Sequence, residues 1–268
     1  MSIMLKRLSI FLNYKDLLKQ LVFKDLKLKY RRSFLGYIWS VLNPLLMMIV
    51  MYVVFSEIFN MAQLSRGEIS VNFAAYLLTG QLVYNFFSEA TQMAMSSVLG
   101  SAPLIKKVYI PKYLFPLEKV AFSFVNTMFS LIALVLVLAV TRTPIHVTIG
   151  LFWVPLVILF VFNFGVGLLL AAATVFFRDI MHLYGVLVMA LMYLTPIMYD
   201  VSILPDWALK FIPFNPLYWF VSMFRGFVIY GEMPSLNCWI GTCGSAIVAL
   251  LVGLFAFKKT QDRFVLYI

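Results

Sequence analysis

Charged side chains are scarce in this sequence. They make up 12% of the residues, against about 25% in soluble domains, while hydrophobic residues make up 63%, against about 45–50%. Such a chain leaves no stretch for a separate water-soluble domain. The composition therefore predicts an integral membrane protein in which residues 1–268 form a single transmembrane domain.

Groups that carry metal or acid–base chemistry are scarcer still. The chain has only two histidines, His146 and His182, and no His-Glu-x-x-His motif. On the topology predicted below, the two histidines lie at opposite membrane faces and cannot share a metal ion. Glu89 is the one carboxylate well inside an apolar run, and one acid without a base is not an active site. We expect no catalytic residue, no metal site and no enzyme.

A phosphate-binding motif of the form Gly-x-x-x-x-Gly-Lys-Ser/Thr is also missing. If ATP drives transport through this protein, the ATPase is another polypeptide. The net charge of +10 does not predict a nucleic-acid partner. The cations lie at the ends of apolar runs, which is the positive-inside pattern of membrane proteins, and the expected neighbours are membrane lipids.

Residues 14–32 are predicted to form an amphipathic helix on the membrane surface. Apolar residues recur with the spacing of one helix face, at Tyr14, Leu17, Leu18, Leu21 and Val22. Lysines take the opposite face, near anionic headgroups. The pattern is imperfect, because Phe23 falls on the polar side and Asp25 on the apolar side.

Long uncharged runs predict six membrane spans, since about 20 apolar residues cross a bilayer. The predicted spans are 33–59, 70–99, 116–141, 147–177, 180–199 and 235–257. The segment 200–232 contains a shorter uncharged run, broken by Pro213, Asn215 and Pro216. We expect it to form a re-entrant segment or short helices surrounded by protein or water.

The positions of the cations orient these spans. With six spans both termini lie on one side, and all but four of the 21 Lys and Arg residues fall on that side. The four on the other side are Arg66, Arg142, Lys210 and Arg225. Because Lys and Arg near a span stay inside, an all-α multi-pass protein with both termini in the cytoplasm is predicted.

The inner loop 101–113 is apolar where it should meet water. Its prolines impose a fixed shape, and its apolar side chains are ringed by lysines, which is typical of a docking surface. The candidate docking residues in this loop are Leu104, Lys106, Lys107, Tyr109, Pro111 and Lys112. The alternative is a segment that lies on the membrane surface.

The first and fifth predicted spans each have an aliphatic face and a face with aromatic and polar residues. Aromatic rings suit the C–H faces and hydroxyls of sugars, although they also suit ordinary helix packing. The candidate channel-lining residues are Tyr37, Tyr52, Phe55, Met189 and Tyr193. Glu89 joins them as an acid that faces a wet cavity or a polar partner, or else reaches water from a helix end.

Five stretches occur in an order that is typical of one family. They are FKDLKLKYRRSFLGYIWSVLNPLL, LIKKVYIPKYLFPL, FFRDI, LTPIMY and FNPLYWFVSMFRGFVI. With them, residues 17–257 resemble the permease subunits of ABC-type polysaccharide exporters, which serve O-antigen, capsule and teichoic-acid export in the bacterial cell (inner) membrane.

The resemblance implies a homodimer of six-span subunits with two copies of a separate cytoplasmic ATPase. ATP and Mg²⁺ would be bound by that ATPase, and this chain would hold no cofactor. It also implies that the N-terminal helix, with Lys15, Lys19 and Lys24, and the loop 101–113 meet the ATPase. The segment 200–232 would gate the outer exit.

Two groups of residues complete the predicted sites. Lys29, Arg31 and Arg32 are candidates to receive the pyrophosphate of a lipid-linked polymer, with plain anchoring to the inner surface as the alternative. The candidate outer-gate residues are Pro213, Asn215, Pro216, Trp219 and Arg225. For Arg225 we expect a role in steering sugar or in holding the gate closed.

The predicted function is the membrane subunit of an ATP-driven exporter that moves a lipid-linked polysaccharide outward across the cell membrane. A related permease for a drug or a lipid is the nearest alternative. A membrane-embedded transferase is a second alternative, which the scarcity of acids and histidines disfavours. An ion channel would require polar rings at matched depth, which are not seen.

Overall fold

A computed structural model shows a bundle of helices with one β-hairpin. The structure describes residues 14–29, 31, 33–58, 63–66 and 69–268. The helices are α1 (Lys15–Lys29), α2 (Trp39–Val53), α3 (Phe73–Gly100), α4 (Ala102–Ile105), α5 (Leu114–Val140), α6 (Trp153–Phe176), α7 (Ile180–Leu194), α8 (Asp206–Leu209), α9 (Pro216–Arg225), α10 (Leu236–Thr260) and α11 (Phe264–Tyr267). Strands β1 (Gln63–Arg66) and β2 (Ile69–Asn72) pair antiparallel and lead into α3.

Among the described residues, four helical stretches are long and apolar enough to cross a membrane, namely Gly36–Ser56, Leu114–Val140, Val147–Phe176 and Leu236–Tyr267. Two more predicted spans are less clear-cut. Helix α7 is apolar but has 15 residues. Helix α3 has 28 residues and so spans about 42 Å, but it carries many polar side chains. The helical membrane fold is confirmed, and the count of six spans stays a prediction.

The hairpin corrects the predicted start of the second span. Residue 70 lies in β2, and the helix begins only at Phe73. Asn72 caps it, since its side-chain oxygen accepts a hydrogen bond from the backbone of Ala74 at 2.9 Å. The run of uncharged residues could not reveal this boundary, because a strand and a helix can both be uncharged.

Helix α3 is the centre of the bundle. It contacts α2, α5, α6, α7 and α9, and most of its side chains are buried. Its neighbours therefore supply the partners that its polar groups would lack in lipid. Thr91, for example, accepts a hydrogen bond from the hydroxyl of Tyr184 on α7 at 2.7 Å. A helix covered in this way can be polar at membrane depth.

One end of the bundle gathers α1, the loop 101–113 and the C-terminal residues. The apolar face of α1 packs on Ile110, Leu114 and Phe115. Lys112 donates a hydrogen bond from its ammonium group to the backbone oxygen of Gln261 at 2.6 Å. We call this the α1 end. The connections 141–151 and 195–215 lie at the other end.

The segment between α7 and α10 consists of short helical pieces. Besides α8 and α9 it contains 3₁₀ turns at Val201–Ile203 and Ile212–Phe214 and a π-helical turn at Gly226–Tyr230. Phe220, Phe224 and Phe227 are fully buried. The second half of this segment is therefore part of the core.

Helices α6 and α10 touch through their backbones. A Cβ atom added to Gly253 would lie 2.1 Å from the carbonyl oxygen of Gly165. A Cβ atom added to Gly165 would lie 2.4 Å from backbone atoms of Ala249 and Leu250. Small residues permit such close approach between helices in membranes.

Replacing Gly253 by Ala is expected to force these two helices apart. We expect the overpacking to cost about 1–3 kcal/mol of stability. Thermal unfolding of the purified protein in detergent measures the loss. Gly244→Ala is the matched control on the same helix, because a Cβ there meets no atom within 4 Å. Equal midpoints for the two variants would contradict the backbone contact.

Candidate functional site

The residue that breaks the amphipathic pattern of α1 makes the charged contact between that helix and the bundle. Asp25 forms an ion pair with Lys119 near the start of α5. The ammonium group of Lys119 also lies 3.2 Å from Oε2 of Glu118, whose side chain is buried. One cation thus stands between two carboxylates. Helix α1 is held on α5 by charge as well as by its apolar face.

The predicted docking residues lie on the outside of the α1 end. Lys15, Lys19 and Lys24 are exposed along α1, and Lys106 and Lys107 are exposed after α4. Loop and helix meet, because Ile110 belongs to the same apolar cluster as the inner face of α1. The structure thus brings the two predicted docking segments together.

The remaining docking candidates divide into exposed and anchored residues. Tyr109 is 90% exposed and Leu104 is 37% exposed. Pro111 is half-buried, and Lys112 binds the C-terminal segment through Gln261. Lys112 therefore anchors the loop to the bundle, which the sequence pattern did not predict.

Glu89 lies in the middle of α3 and binds protein groups from two other helices. Its Oε1 accepts a hydrogen bond from the ammonium group of Lys29 on α1 at 2.6 Å. Its Oε2 accepts hydrogen bonds from Ser123 and Asn126 on α5, each at 2.9 Å. The carboxylate joins α1, α3 and α5. Since Glu89 is far from either end of α3, the interpretation as a helix-end acid is not needed.

The cations proposed for pyrophosphate have different surroundings. Lys29 and Arg31 are both exposed, but Lys29 is paired with Glu89. Arg32 lies outside the described residues. Of the two described cations, Lys29 is therefore already bound to a carboxylate, and Arg31 is the better candidate to meet an anion.

A cleft of about 390 Å³ opens beside the Lys29–Glu89 pair, between α2, α3 and α5. Its lining is rich in amides and hydroxyls, from Ser40, Asn43, Asn85, Ser88, Gln92, Asn126, Thr127 and Ser130. Trp39, Met47, Leu82 and Phe86 add apolar surface. The position of Glu89 is unusual in the sequence, but no local pattern reveals this cleft, because its lining comes from residues far apart in the chain.

The candidate channel-lining residues of α2 and its flanks pack within the chain. The ring of Tyr37 stacks on Phe129 with centroids 5.8 Å apart, and that of Phe55 lies 5.5 Å from Phe73. Tyr52 packs against the main core. Helix packing, the alternative interpretation, thus accounts for these contacts.

The two channel-lining candidates on α7 are exposed instead of packed within the chain. Met189 and Tyr193 are each 66% exposed. They belong to an apolar face of α7 that the described part of the chain leaves exposed. This face is available to a second subunit, to lipid or to a substrate.

Arg225 is buried in the core, with only 4% of its surface exposed. Its guanidinium donates to the backbone oxygens of Pro196 at 2.7 Å and of Tyr76 and Ile197 at 3.0 Å. The guanidinium carbon lies 3.5 Å from the ring centroid of Tyr76. The rigid fork of arginine suits several acceptors at once. Arg225 joins α9, α3 and the turn after α7.

The other outer-gate candidates fix the start of α9. The side-chain oxygen of Asn215 accepts from the backbone of Leu217 at 3.0 Å, and its amide nitrogen donates to Thr195 at 2.9 Å. Pro216 is the first residue of the helix, where its lack of an N–H costs nothing. Trp219 donates to the backbone oxygen of Pro213 at 2.9 Å. These residues tie the segment to the turn after α7.

Removing the cation from the Asp25–Lys119–Glu118 cluster should loosen α1. We expect Lys119→Met to lose about 1–3 kcal/mol of stability, because two carboxylates remain side by side without a counter-ion. Adding Asp25→Asn should recover part of the loss. Thermal unfolding of the single and double variants measures this coupling. Lys24→Met is the control, since its side chain is 63% exposed and 4.0 Å from Asp25. Strictly additive losses would rule out the coupling.

Replacing Arg225 should detach the turn after α7 from α3 and α9. For Arg225→Met we expect a loss of at least about 1.5–3 kcal/mol, the usual contribution of one hydrogen bond to a charged group. Arg225→Lys should recover little of the lost stability, since an ammonium group lacks the planar fork of the guanidinium group. The midpoint of thermal unfolding is the measurement. Lys210→Met removes an exposed cation nearby in sequence and should leave that midpoint unchanged.

The fold and these contacts define a multi-pass helical membrane subunit with a surface helix bound to its bundle. Among the described residues, no group of three or more His, Cys, Asp or Glu side chains could hold a metal ion. Residues 16–229 match the model of the ABC-2 type transporter family. The chain belongs to this family.

Curated relatives of the chain carry names from polysaccharide export. The O-antigen export system permease protein RfbA of Klebsiella pneumoniae is 30% identical over 259 residues, which cover 93% of each chain. The protein of the same name from Myxococcus xanthus is 28% identical, with 94% of this chain and 95% of the relative covered. The polysialic acid transport protein KpsM of Escherichia coli is 22% identical, with 92% and 95% covered. The resemblance stated from the motifs is confirmed.

Proposed function

We propose that this chain is the membrane subunit of an ABC exporter that carries a polysaccharide across the cell membrane. The observation that carries the proposal is the match, over 93% of both chains, to a protein named as an O-antigen export permease. A second relative is named for the transport of polysialic acid, which is also a sugar polymer. The helical membrane fold supports the same assignment.

In this proposal the energy comes from a separate ATPase that binds ATP and Mg²⁺ and docks at the α1 end. Two observations support that docking surface. Exposed lysines of α1 lie beside the exposed residues Lys106, Lys107 and Tyr109, and both segments share one apolar cluster beneath them. The α1 end then faces the cytoplasm of a bacterial cell, with both termini on that side of the inner membrane.

Movement of α1 would reach the spans through two charged contacts. Asp25 pairs with Lys119 on α5, and Lys29 pairs with Glu89 on α3. A shift of α1 by the ATPase therefore changes contacts with α3 and α5 together. The lipid-linked end of the polymer would approach the same surface, where Arg31 and Arg32 are the cations proposed to receive its pyrophosphate.

Two subunits would form the passage for the polymer, with the exposed face of α7 at the contact between them. Met189 and Tyr193 lie on that face and are the candidates to touch the polymer. The segment 200–232, whose second half is buried, would close the outer exit, held by Arg225 against α3 and by Asn215 against Thr195. Opening the exit would require these hydrogen bonds to break.

Charge reversal at Lys106 and Lys107 tests the docking surface and the function together. We expect Lys106→Glu with Lys107→Glu to weaken docking by about tenfold, because favourable surface charges become repulsive. Export is measured as polysaccharide at the cell surface, and insertion as the amount of chain in the membrane fraction. The control is Lys258→Glu with Lys259→Glu, an exposed basic pair on α10.

The outcomes separate the two parts of the proposal. Reduced export with normal insertion supports both parts. Normal export by the double variant refutes docking through these lysines. Normal export of the polysaccharide by cells that lack the chain refutes the function itself.

A further inference from the structure

We propose that the cleft between α2, α3 and α5 binds the sugar residues of a glycan, and we call it the amide cleft. Its polar wall is formed by Asn43 on α2 and by Asn85 and Gln92 on α3, with Trp39 also in the lining. The inference rests on the proposed function and deepens it. It gives the sugar polymer a binding site on a part of the bundle that includes Glu89 but none of the other predicted channel-lining residues.

The exposed stripe on α3 is the first observation. This helix is covered by neighbours over most of its surface, yet Asn85 and Gln92 are exposed, and Ser88 and Glu89 between them are half-buried. Residues spaced by three, four and seven positions share one face of a helix. Amides and hydroxyls on that face would be unsatisfied against lipid. The stripe therefore faces water or a polar ligand.

The hydrogen-bonding capacity of the cleft is the second observation. Within the described part of the chain, the side chains of Asn43, Asn85 and Trp39 make no hydrogen bond. Each asparagine amide can donate two hydrogen bonds and can also accept. By contrast, Gln92 donates to Ser88 at 2.7 Å, and Asn126 donates to Glu89. The wall thus contains side chains that are already hydrogen-bonded within the protein and side chains that could still hydrogen-bond to a ligand.

The chemistry of the lining fits a neutral, hydroxyl-rich ligand. Sugar hydroxyls both donate and accept hydrogen bonds, as amides do. The indole ring of Trp39 is suited to the C–H face of a sugar ring. The charges of Lys29 and Glu89 cancel across a distance of 2.6 Å, so the cleft has no net charge with which to select an anion. Its volume of about 390 Å³ falls within the usual range of ligand sites.

The position of the cleft also fits a substrate path. Lys29, the last residue of α1, forms part of its lining. Any displacement of α1 therefore changes the cleft itself. A glycan bound there would be held where the docking surface acts on the bundle.

Cysteine labelling tests the amide cleft in intact membranes. Asn43→Cys, Asn85→Cys and, as a control, Asn237→Cys are placed in the full complex with its ATPase. Asn237 is an exposed amide at the start of α10, outside the cleft lining. Membranes from cells that make the polysaccharide are compared with membranes from cells blocked in its synthesis. The probe is a charged, water-soluble thiol reagent, and the unchanged chain gives the background from its own two cysteines.

We expect the Asn43→Cys and Asn85→Cys variants to react in membranes without the polysaccharide and to react more slowly in membranes that contain it. The control position should be unaffected. In export assays, Asn85→Leu should lower export by about 2- to 10-fold, which is the factor by which the loss of one hydrogen bond weakens binding. Asn237→Leu should leave export unchanged. A second arm adds inorganic pyrophosphate as the probe ligand to the membranes that lack the polysaccharide.

Three results would overturn the inference. The first is the absence of labelling at both cleft positions without polysaccharide, and the second is equal labelling with and without it. The third is protection by pyrophosphate alone, which would identify an anion site. If any of these occurs while the unchanged chain still exports the polysaccharide, the cleft assignment fails and the proposed function stands. If cells without the chain export normally, the proposed function fails first.

Discussion

Most polar groups of α3 that lie within the bundle find partners inside the protein, because a lipid bilayer offers none. Much of the structure follows from that requirement. Thr91 is satisfied by α7, Glu89 by α1 and α5, and the backbone oxygen of Tyr76 by Arg225. The helices that surround α3 are therefore held to it by specific hydrogen bonds as well as by apolar packing. The surrounding helices therefore stabilise α3 in the bilayer.

The sequence predicts the features of the fold that depend on local patterns, but it does not predict contacts between distant residues. The surface helix is predicted at 14–32 and observed at Lys15–Lys29, and the long apolar helices lie where uncharged runs predict them. These features depend on local patterns. The pairs Asp25–Lys119 and Tyr76–Arg225 join residues that are far apart in sequence, so no local pattern reveals them. For this reason Asp25 looks like an exception within α1, although it is the residue that binds the bundle.

The sequence likewise predicts some residues of the candidate site and not others. Local composition identifies the exposed lysines of the proposed docking surface and the unusual position of Glu89. The structure places the lysines at one end of the bundle and Glu89 beside a cleft. Composition could not tell which face of an aromatic helix packs inward. Phe55 and Tyr52 are half-buried against the core, whereas Met189 and Tyr193 remain exposed.

The backbone contact at Gly165 and Gly253 has a consequence for motion. Helices separated by a layer of side chains can slide past one another by repacking that layer, but α6 and α10 have no such layer at their crossing. Any axial sliding would drive one main chain into the other. We therefore expect α6 and α10 to move together as one rigid unit, whereas α2 and α7 have exposed flanks whose neighbours can change.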